Sequence, residues 1–303
     1  MTSPVTNMSA SVHHRIKNCA AKSDQSFNDL LQHFALERFM YRLCQSRHAD
    51  QFVLKGALLL RVWRLSSTRS TRDIDLLGRT DNTPESIGAI FREVCCIAVD
   101  DDGLIFDSES VRTDSIAADA EYQGLRVTCS GTLCNARVAM QVDIGFGDII
   151  TPAAKMIEYP TMLDMKPPRI LAYPPETSIA EKFHVILQRG VLNSRMKDFF
   201  DLWALASDRS FDGVLLSKAV ATTCEHRSTP VEPQLAALSD ESIHDPSKQV
   251  QWAAFRRRLR TTDAPEKFTE VASIVAGFLG PVAQAVARNH VFDLQWQPGG
   301  PWS

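Results

Sequence analysis

The segment Thr71-Arg72-Asp73-Ile74-Asp75-Leu76-Leu77 constrains this chain more than any other. Its two carboxylates stand two residues apart, the spacing at which an extended strand points side chains to one face. Read as a strand, it projects Asp73 and Asp75 side by side, buries Ile74 behind them and runs on into the core through Leu76 and Leu77. Two adjacent anions repel unless positive charge lies between them. The usual solution is a divalent cation with hard oxygen ligands, commonly Mg²⁺ bridging to the phosphates of a nucleotide. Upstream, Lys55-Gly56-Ala57-Leu58-Leu59-Leu60 reads as a small-residue turn opening an apolar helix, where backbone N–H groups make a seat for phosphate. Together these point to nucleotidyl transfer. A solvent-exposed strand end carrying Asp-x-Asp by chance is the competing reading of the first segment alone.

A third carboxylate narrows the choice. Val138, Met140, Val142 and Ile144 alternate with Ala139, Gln141, Asp143 and Gly145, the period of a strand with one face in the core. Asp143 falls on the opposite face, and Gly145 leaves room beside it. Pairing this strand next to the Asp73–Asp75 strand would bring three carboxylates onto one or two metals, as in-line phosphoryl transfer requires. Asp148 follows Gly147 and reads instead as the cap of a turn or helix start.

Further along, Pro174-Pro175-Glu176-Thr177-Ser178 has the composition of a helix start. Ile179, Phe183 and Ile186 then form a buried stripe. Lys182 lies beside that stripe, either as a snorkelling surface lysine or with its ammonium at a cleft rim facing a triphosphate. A second helix over residues 195–202 carries Asp198 and Asp201 one turn apart near Arg195 and Lys197. It reads either as a self-paired face or as a support for Lys182.

These segments have a familiar order. The Lys-Gly-x-x-Leu-Leu turn, Thr-Arg-Asp-Ile-Asp-Leu-Leu, Val-Asp-Ile-Gly-Phe-Gly-Asp, Ile179-Ala180-Glu181-Lys182-Phe183-His184 and Arg195-Met196-Lys197-Asp198-Phe199-Phe200-Asp201-Leu202 resemble the AbiEii-type nucleotidyltransferases. These are MenT-like toxins of abortive-infection and type IV toxin–antitoxin systems, and the resemblance covers roughly residues 30–205. One departure is Gly56-Ala57, where family members often carry Gly-Gly or Gly-Ser. Ala57 offers no hydroxyl, which leaves only backbone donors there.

The resemblance implies an α+β fold, with a DNA-polymerase-β-like nucleotidyltransferase core built on a mixed sheet and followed by a C-terminal helical domain. The expected divisions are a flexible basic arm over 1–26, the nucleotidyltransferase domain over 27–170, a helical domain over 171–295 and an irregular tail over 296–303. It also implies a Mg²⁺-dependent enzyme that takes a nucleoside triphosphate (NTP) and transfers the nucleotide to RNA, the 3′ end of tRNA in some relatives, so blocking translation. Asp73 and Asp75 would bind metal, and Asp143 would complete the site or act as base. Lys182 would hold the triphosphate and Asp198 would orient Lys182. Lys55, Gly56, Ala57 and Arg72 would contact phosphates. A cognate DNA-binding antitoxin is the expected partner. Two rivals stay open: transfer to a protein or small-molecule hydroxyl, and a non-catalytic nucleotide-binding module.

Composition agrees with a globular enzyme. The 303 residues include 44% hydrophobic and 23% charged side chains at a net charge of −3, which argues against a protein that coats nucleic acid but leaves room for a local basic groove. Seven cysteines show no Cys-x-x-Cys pair, and adjacent Cys95 and Cys96 read as buried thiols. Residues 1–25 are polar, with no signal segment, and no run reads as long enough to span a membrane. The expected location is the reducing cytoplasm, without membrane attachment.

Helices are expected over 27–45, 84–98, 249–260 and 271–286, and strands near 104–106 and 124–130. Arg38, Arg42 and Arg47 read as a solvated helix face or a phosphate track, and Asp100-Asp101-Asp102 as a solvated turn. Tyr122, Gln123 and Arg126 are candidates for contacts to an incoming base or, equally, for pairing at a β-edge. Arg256-Arg257-Arg258-Leu259-Arg260 beside Trp252 and Phe255 is a candidate RNA grip or, equally, a solvated helix face.

Overall fold

The computed structural model describes residues 7–23, 25–66, 69–118, 122–259 and 264–303. The chain divides into two compact units. The first comprises Met1–Val62, Ser70–Asp148 and Lys155–Ala172, and the second Trp63–Arg69, Ile149–Ala154 and Tyr173–Ser303.

The first unit runs α1 (Met8–Ala21), α2 (Phe27–Gln45), β1 (Phe52–Lys55), α3 (Leu59–Val62), β2 (Ile74–Gly78), α4 (Pro84–Cys95), β3 (Leu104–Ala118), β4 (Tyr122–Leu133), β5 (Ala136–Phe146), β6 (Lys155–Glu158) and β7 (Arg169–Ala172). Its seven strands form one mixed sheet in the order β3-β4-β5-β2-β1-β7-β6. β2 runs parallel to β5 and β1 parallel to β7, while the remaining neighbours are antiparallel. The alternation along β5 decides its facing: Val138, Met140, Val142 and Ile144 are buried, and Gln141, Asp143 and Gly145 are half-buried on the other side. α2 packs on β5 and β7, and α4 on β3. Between them Phe39 stacks on Phe91 at 5.8 Å and meets Phe106 edge-on at 5.2 Å.

Local sequence sets the helix starts. The Thr83 side chain accepts from the Ser86 N–H at 3.3 Å, with Pro84 in the first turn of α4. Thr83→Ala should therefore cost about 1 kcal/mol, read as a lower urea midpoint with an unchanged m-value.

Tertiary packing overrides several expectations. Arg38 and Arg42 are not a solvated face: both are buried and converge on Asp102, itself 2% exposed. The Arg38 Nε lies 3.0 Å from Asp102 Oδ2, and Arg42 reaches Oδ2 at 2.7 Å and Oδ1 at 2.9 Å. Burial alone would raise the Asp102 carboxyl pKa, but the two guanidiniums hold it below the usual carboxylate range. The acidic run is thus split, with Asp102 in the core and Asp100 outside against Lys166. Within the segment read as a basic arm, α1 buries Val12 and Ile16. Cys95 is buried, but Cys96, one residue beyond α4, is exposed.

The second unit contains α5 (Pro175–Arg189), α6 (Met196–Asp208), β8 (Phe211–Asp212), α7 (Gly213–His226), α8 (Asp240–Ile243), α9 (Pro246–Leu259), α10 (Phe268–Ala287) and β9 (Gln295–Trp296). α10 is apolar and long enough, by length and composition, to cross a membrane, contrary to the reading that no run approaches that length. Its Phe278 and Val275 are buried, and it packs on α6 and α7. The tail read as irregular is anchored. β9 pairs with β8, Trp296 donates to the Ala206 carbonyl at 2.7 Å, and Trp302 stacks on Phe278.

Candidate active site

The mixed sheet carries a row of charged residues across four adjacent strands. Lys55 on β1 lies opposite Asp75 on β2, Asp75 opposite Asp143 on β5, and Asp143 opposite Arg126 on β4. Asp73 stands in a bend just ahead of β2, not on the strand as expected from the sequence. One carboxylate oxygen each of Asp73, Asp75 and Asp143 comes within 4.8 Å of the others, all three residues being half-buried. The parallel β2–β5 register accounts for this meeting, because it sets Asp75 level with Asp143.

Each carboxylate has identifiable support. The Thr71 hydroxyl donates to Asp73. Asp143 receives Nε and Nη2 of Arg126, both at 2.8 Å, and the Gln141 amide at 3.2 Å. This hydrogen-bonded pairing with Asp143 raises the Arg126 pKa above the usual arginine value, and the charges of Asp73 and Asp75 add to the effect. Of the two readings open for Arg126, the structure shows the strand pairing: it clamps the carboxylate of its cross-strand neighbour Asp143. The side chains of Tyr122 and Gln123 lie outside the described residues.

Gly56 closes the turn after β1 with φ +75°, in the region that favours glycine. A Cβ there would overlap the Asp75 carboxylate and stand 2.6 Å from its Cγ. The glycine is therefore needed for Asp75 to lie where it does. Gly56→Ala should cost about tenfold to a hundredfold in nucleotide transfer by pushing Asp75 aside. Steady-state kinetics set beside thermal melting checks this, since transfer retained at the wild-type rate would contradict it.

Ala57 is buried behind the turn. Lys55 Nζ pairs with Asp148 Oδ2 at 2.7 Å, and both atoms lie near the space left by Gly145. Asp148 thus takes part in an ion pair, where a cap was expected. Arg72 is largely exposed and reaches Asp29 at 3.4 Å.

Lys182, Asp198 and Asp201 form a second charged cluster, in the helical unit. Lys182 Nζ lies 2.7 Å from Asp201 and 3.4 Å from Asp198. Arg69 grips both oxygens of Asp201 at 2.8 and 3.0 Å, and Arg195 reaches Asp198 at 2.9 Å. The self-pairing open from the sequence is present in the i,i+3 pair Arg195–Asp198, while Asp201 is completely buried and pairs with Lys182 and Arg69. Burial disfavours the Lys182 ammonium, yet the charges of Asp201 and Asp198 outweigh it and lift the lysine pKa. Burial likewise opposes the Asp201 carboxylate, and Arg69 and Lys182 overcome it to hold the pKa at about 2.

Arg69 lies among the arginines ahead of the carboxylate strand, where offsetting the acidic cluster and structural pairing are both open from the sequence, and the structure pairs it with Asp201. Gln141 and Thr71 were not singled out at all. Strand alternation puts Gln141 on the face of Asp143, which is the signal that would have found it.

Comparison with known proteins follows the same lines. The model of the nucleotidyl transferase AbiEii toxin family, type IV toxin–antitoxin system, matches residues 38–274. Among solved structures, MenT4, the nucleotidyltransferase toxin Rv2826c from Mycobacterium tuberculosis H37Rv, is similar with a TM-score of 0.51 and 17% identity, over 91% of this chain and 98% of that one. JHP933 from Helicobacter pylori is similar with a TM-score of 0.50 and 15% identity, over 87% of this chain and 94% of that one. At such identities these two likenesses speak for the fold alone. A comparison with curated proteins finds no significant match. The family match takes in most of the chain, from α2 through to α10, and includes all three clustered carboxylates; the protein belongs to the AbiEii family of nucleotidyltransferase toxins.

Proposed function

We propose that this toxin transfers a nucleotide from an NTP to an RNA acceptor, the 3′ end of tRNA, in a Mg²⁺-dependent reaction that blocks translation. The convergence of Asp73, Asp75 and Asp143 is the observation that carries the reading. The donors are hard, anionic oxygens, the set that Mg²⁺ prefers, and their close approach leaves excess negative charge for a cation to neutralise. Bound there, Mg²⁺ would polarise the α-phosphate and favour the ionised form of the attacking hydroxyl.

The chain's own residues have separable tasks. Asp73 and Asp75 hold the cation. Asp143 completes the ligand set or takes the proton of the acceptor hydroxyl. The acceptor oxygen forms a bond to the α-phosphorus as the bond to pyrophosphate breaks. Backbone N–H groups around Gly56 and Ala57, with Lys55 and Arg72, seat phosphates. Lys182, kept protonated by its carboxylate neighbours, neutralises the triphosphate, and Asp198 orients it. NTP and tRNA as substrates place the reaction in the cytoplasm, and the antitoxin partner that the family implies would be a DNA-binding protein.

The test combines purified protein, Mg²⁺, four α-labelled NTPs and total tRNA, beside the Asp75→Ala variant. Label should enter tRNA with the wild type only, and the labelled lane names the nucleotide. Label entering protein or a small molecule instead would overturn the RNA acceptor. No Mg²⁺-dependent NTP binding at all would favour a non-catalytic module.

A further inference from the structure

Asp143 is the carboxylate whose acceptor capacity is spoken for. Arg126 Nε meets Oδ1 and Nη2 meets Oδ2, each at 2.8 Å, while Gln141 Nε2 lies 3.2 and 3.3 Å from the same two oxygens. An ionised carboxylate offers about four lone-pair sites, and these four contacts fill them. Yet an oxygen of Asp143 belongs to the cluster shared with Asp73 and Asp75. A divalent cation that uses this oxygen must take a lone pair from one of the two donors. Electrostatics selects which. The Gln141 amide is neutral and its contacts are long, so it tolerates a cation beside it. A guanidinium close to a divalent cation is repelled. The Arg126 side chain is 41% exposed, so it can swing off into solvent without entering a dry environment.

We infer that Arg126 is the resident counter-ion of the carboxylate cluster: it neutralises Asp143 while no divalent cation is bound, exchanges with the entering cation, and then presents its freed guanidinium to the phosphates of the incoming nucleotide. The fork of N–H donors that grips two carboxylate oxygens has the geometry to grip two phosphate oxygens. Arg126 projects from β4 directly opposite Asp143, so the released group stays tethered beside the site. The exchange couples cation entry to the appearance of a phosphate ligand, which would favour cation and NTP arriving together. The inference rests on the Mg²⁺ reading above.

The experiment titrates Mn²⁺ alone, by calorimetry, into the wild type, Arg126→Gln and Arg126→Lys, each full-length and checked by thermal melting. Arg126→Gln should bind Mn²⁺ about tenfold tighter than the wild type, the equivalent of about 1.4 kcal/mol, because nothing charged has to be displaced. Arg126→Lys, which cannot make the fork, should fall between the two, and it carries the test if the glutamine variant does not fold. In transfer assays the KM for NTP should rise in Arg126→Gln as Mn²⁺ affinity improves, opposite movements that a purely structural defect would not produce. Equal or weaker Mn²⁺ binding by the folded variants overturns the counter-ion role, and an unchanged KM overturns the phosphate role. Absence of Mn²⁺ binding in the wild type would overturn the metal reading itself and this inference with it.

Discussion

Replacing Asp75 with alanine is expected to lower nucleotide transfer by about a thousandfold or more, with the melting temperature little changed. Asp75 sits on β2 between Lys55 on one neighbouring strand and Asp143 on the other, and Gly56 leaves open the space its carboxylate occupies. Charge stabilisation by a bound metal is worth several kcal/mol, and each 1.36 kcal/mol of barrier is tenfold in rate, so losing a central ligand implies a loss of this order. Stability should change little. The three carboxylates repel one another, but Lys55 lies opposite Asp75 and Arg126 pairs with Asp143, so losing one carboxylate removes repulsion and attraction together. Single-turnover labelling and a melting curve on the same preparation separate the two effects. Wild-type transfer by the variant would remove Asp75 from the site, whereas a large fall in melting temperature would make it a structural residue.

The largest effect on stability is expected at Asp201. The side chain is completely buried and holds Arg69 through two hydrogen bonds and Lys182 at 2.7 Å. Asp201→Ala would leave a guanidinium and an ammonium close together, with Asp198 as the remaining carboxylate of the cluster. Removing one partner of a buried ion pair typically costs about 3–5 kcal/mol, and chemical denaturation would read that loss directly. The same residue sets an acid limb. Its folded pKa of about 2 lies below the ordinary 3.8, so its stabilising contribution is fully present above pH 4 and is lost as pH falls toward 2. The shift corresponds to about 2 kcal/mol. Stability of the wild type should therefore drop across that window, and the drop should be shallower in the alanine variant. Equal acid limbs would show that Asp201 is not the group responsible.

Much of the site was legible because its signals are local. The two-residue spacing of Asp73 and Asp75 points to a shared site although only Asp75 lies on the strand, and the alternation from Val138 to Ile144 sets Asp143 opposite the core side. Residue order along the chain carried the family resemblance, which led from these carboxylates to Lys182 and Asp198. The less legible parts depend on partners far away in sequence. Arg38, Arg42 and Asp102 each looked like a solvent residue, since a charged side chain in a helix or an acidic turn is ordinarily exposed. Only the tertiary fold brings one carboxylate against both guanidiniums, with the Lys166 and Leu104 carbonyls taking further N–H groups of Arg38 and Arg42, and charges so paired and hydrogen-bonded can be buried where each alone could not. For Arg126 and Arg69 the sequence allowed a structural pairing without naming the partner: a guanidinium does not announce which carboxylate it will meet. Trp296 and Trp302 lie in a stretch rich in proline and glycine that reads as loose, but the ring of Phe278 holds both and the Ala206 carbonyl accepts from Trp296 and from the Gly299 N–H.

By itself, then, the sequence determined the facing of β5 and the kinds of group available for phosphoryl chemistry, and its resemblance to a family implied the α+β class. The facing follows from contacts between residues a few positions apart, where the backbone period leaves little choice. The tertiary structure decided the register of β2 against β5, the clamp of Arg126 on Asp143, the grip of Arg69 and Lys182 on Asp201, and the burial of Asp102. Each of these is an electrostatic pairing across a long stretch of chain, and its partner is chosen by how strands and helices stack and not by any pattern that neighbouring residues carry.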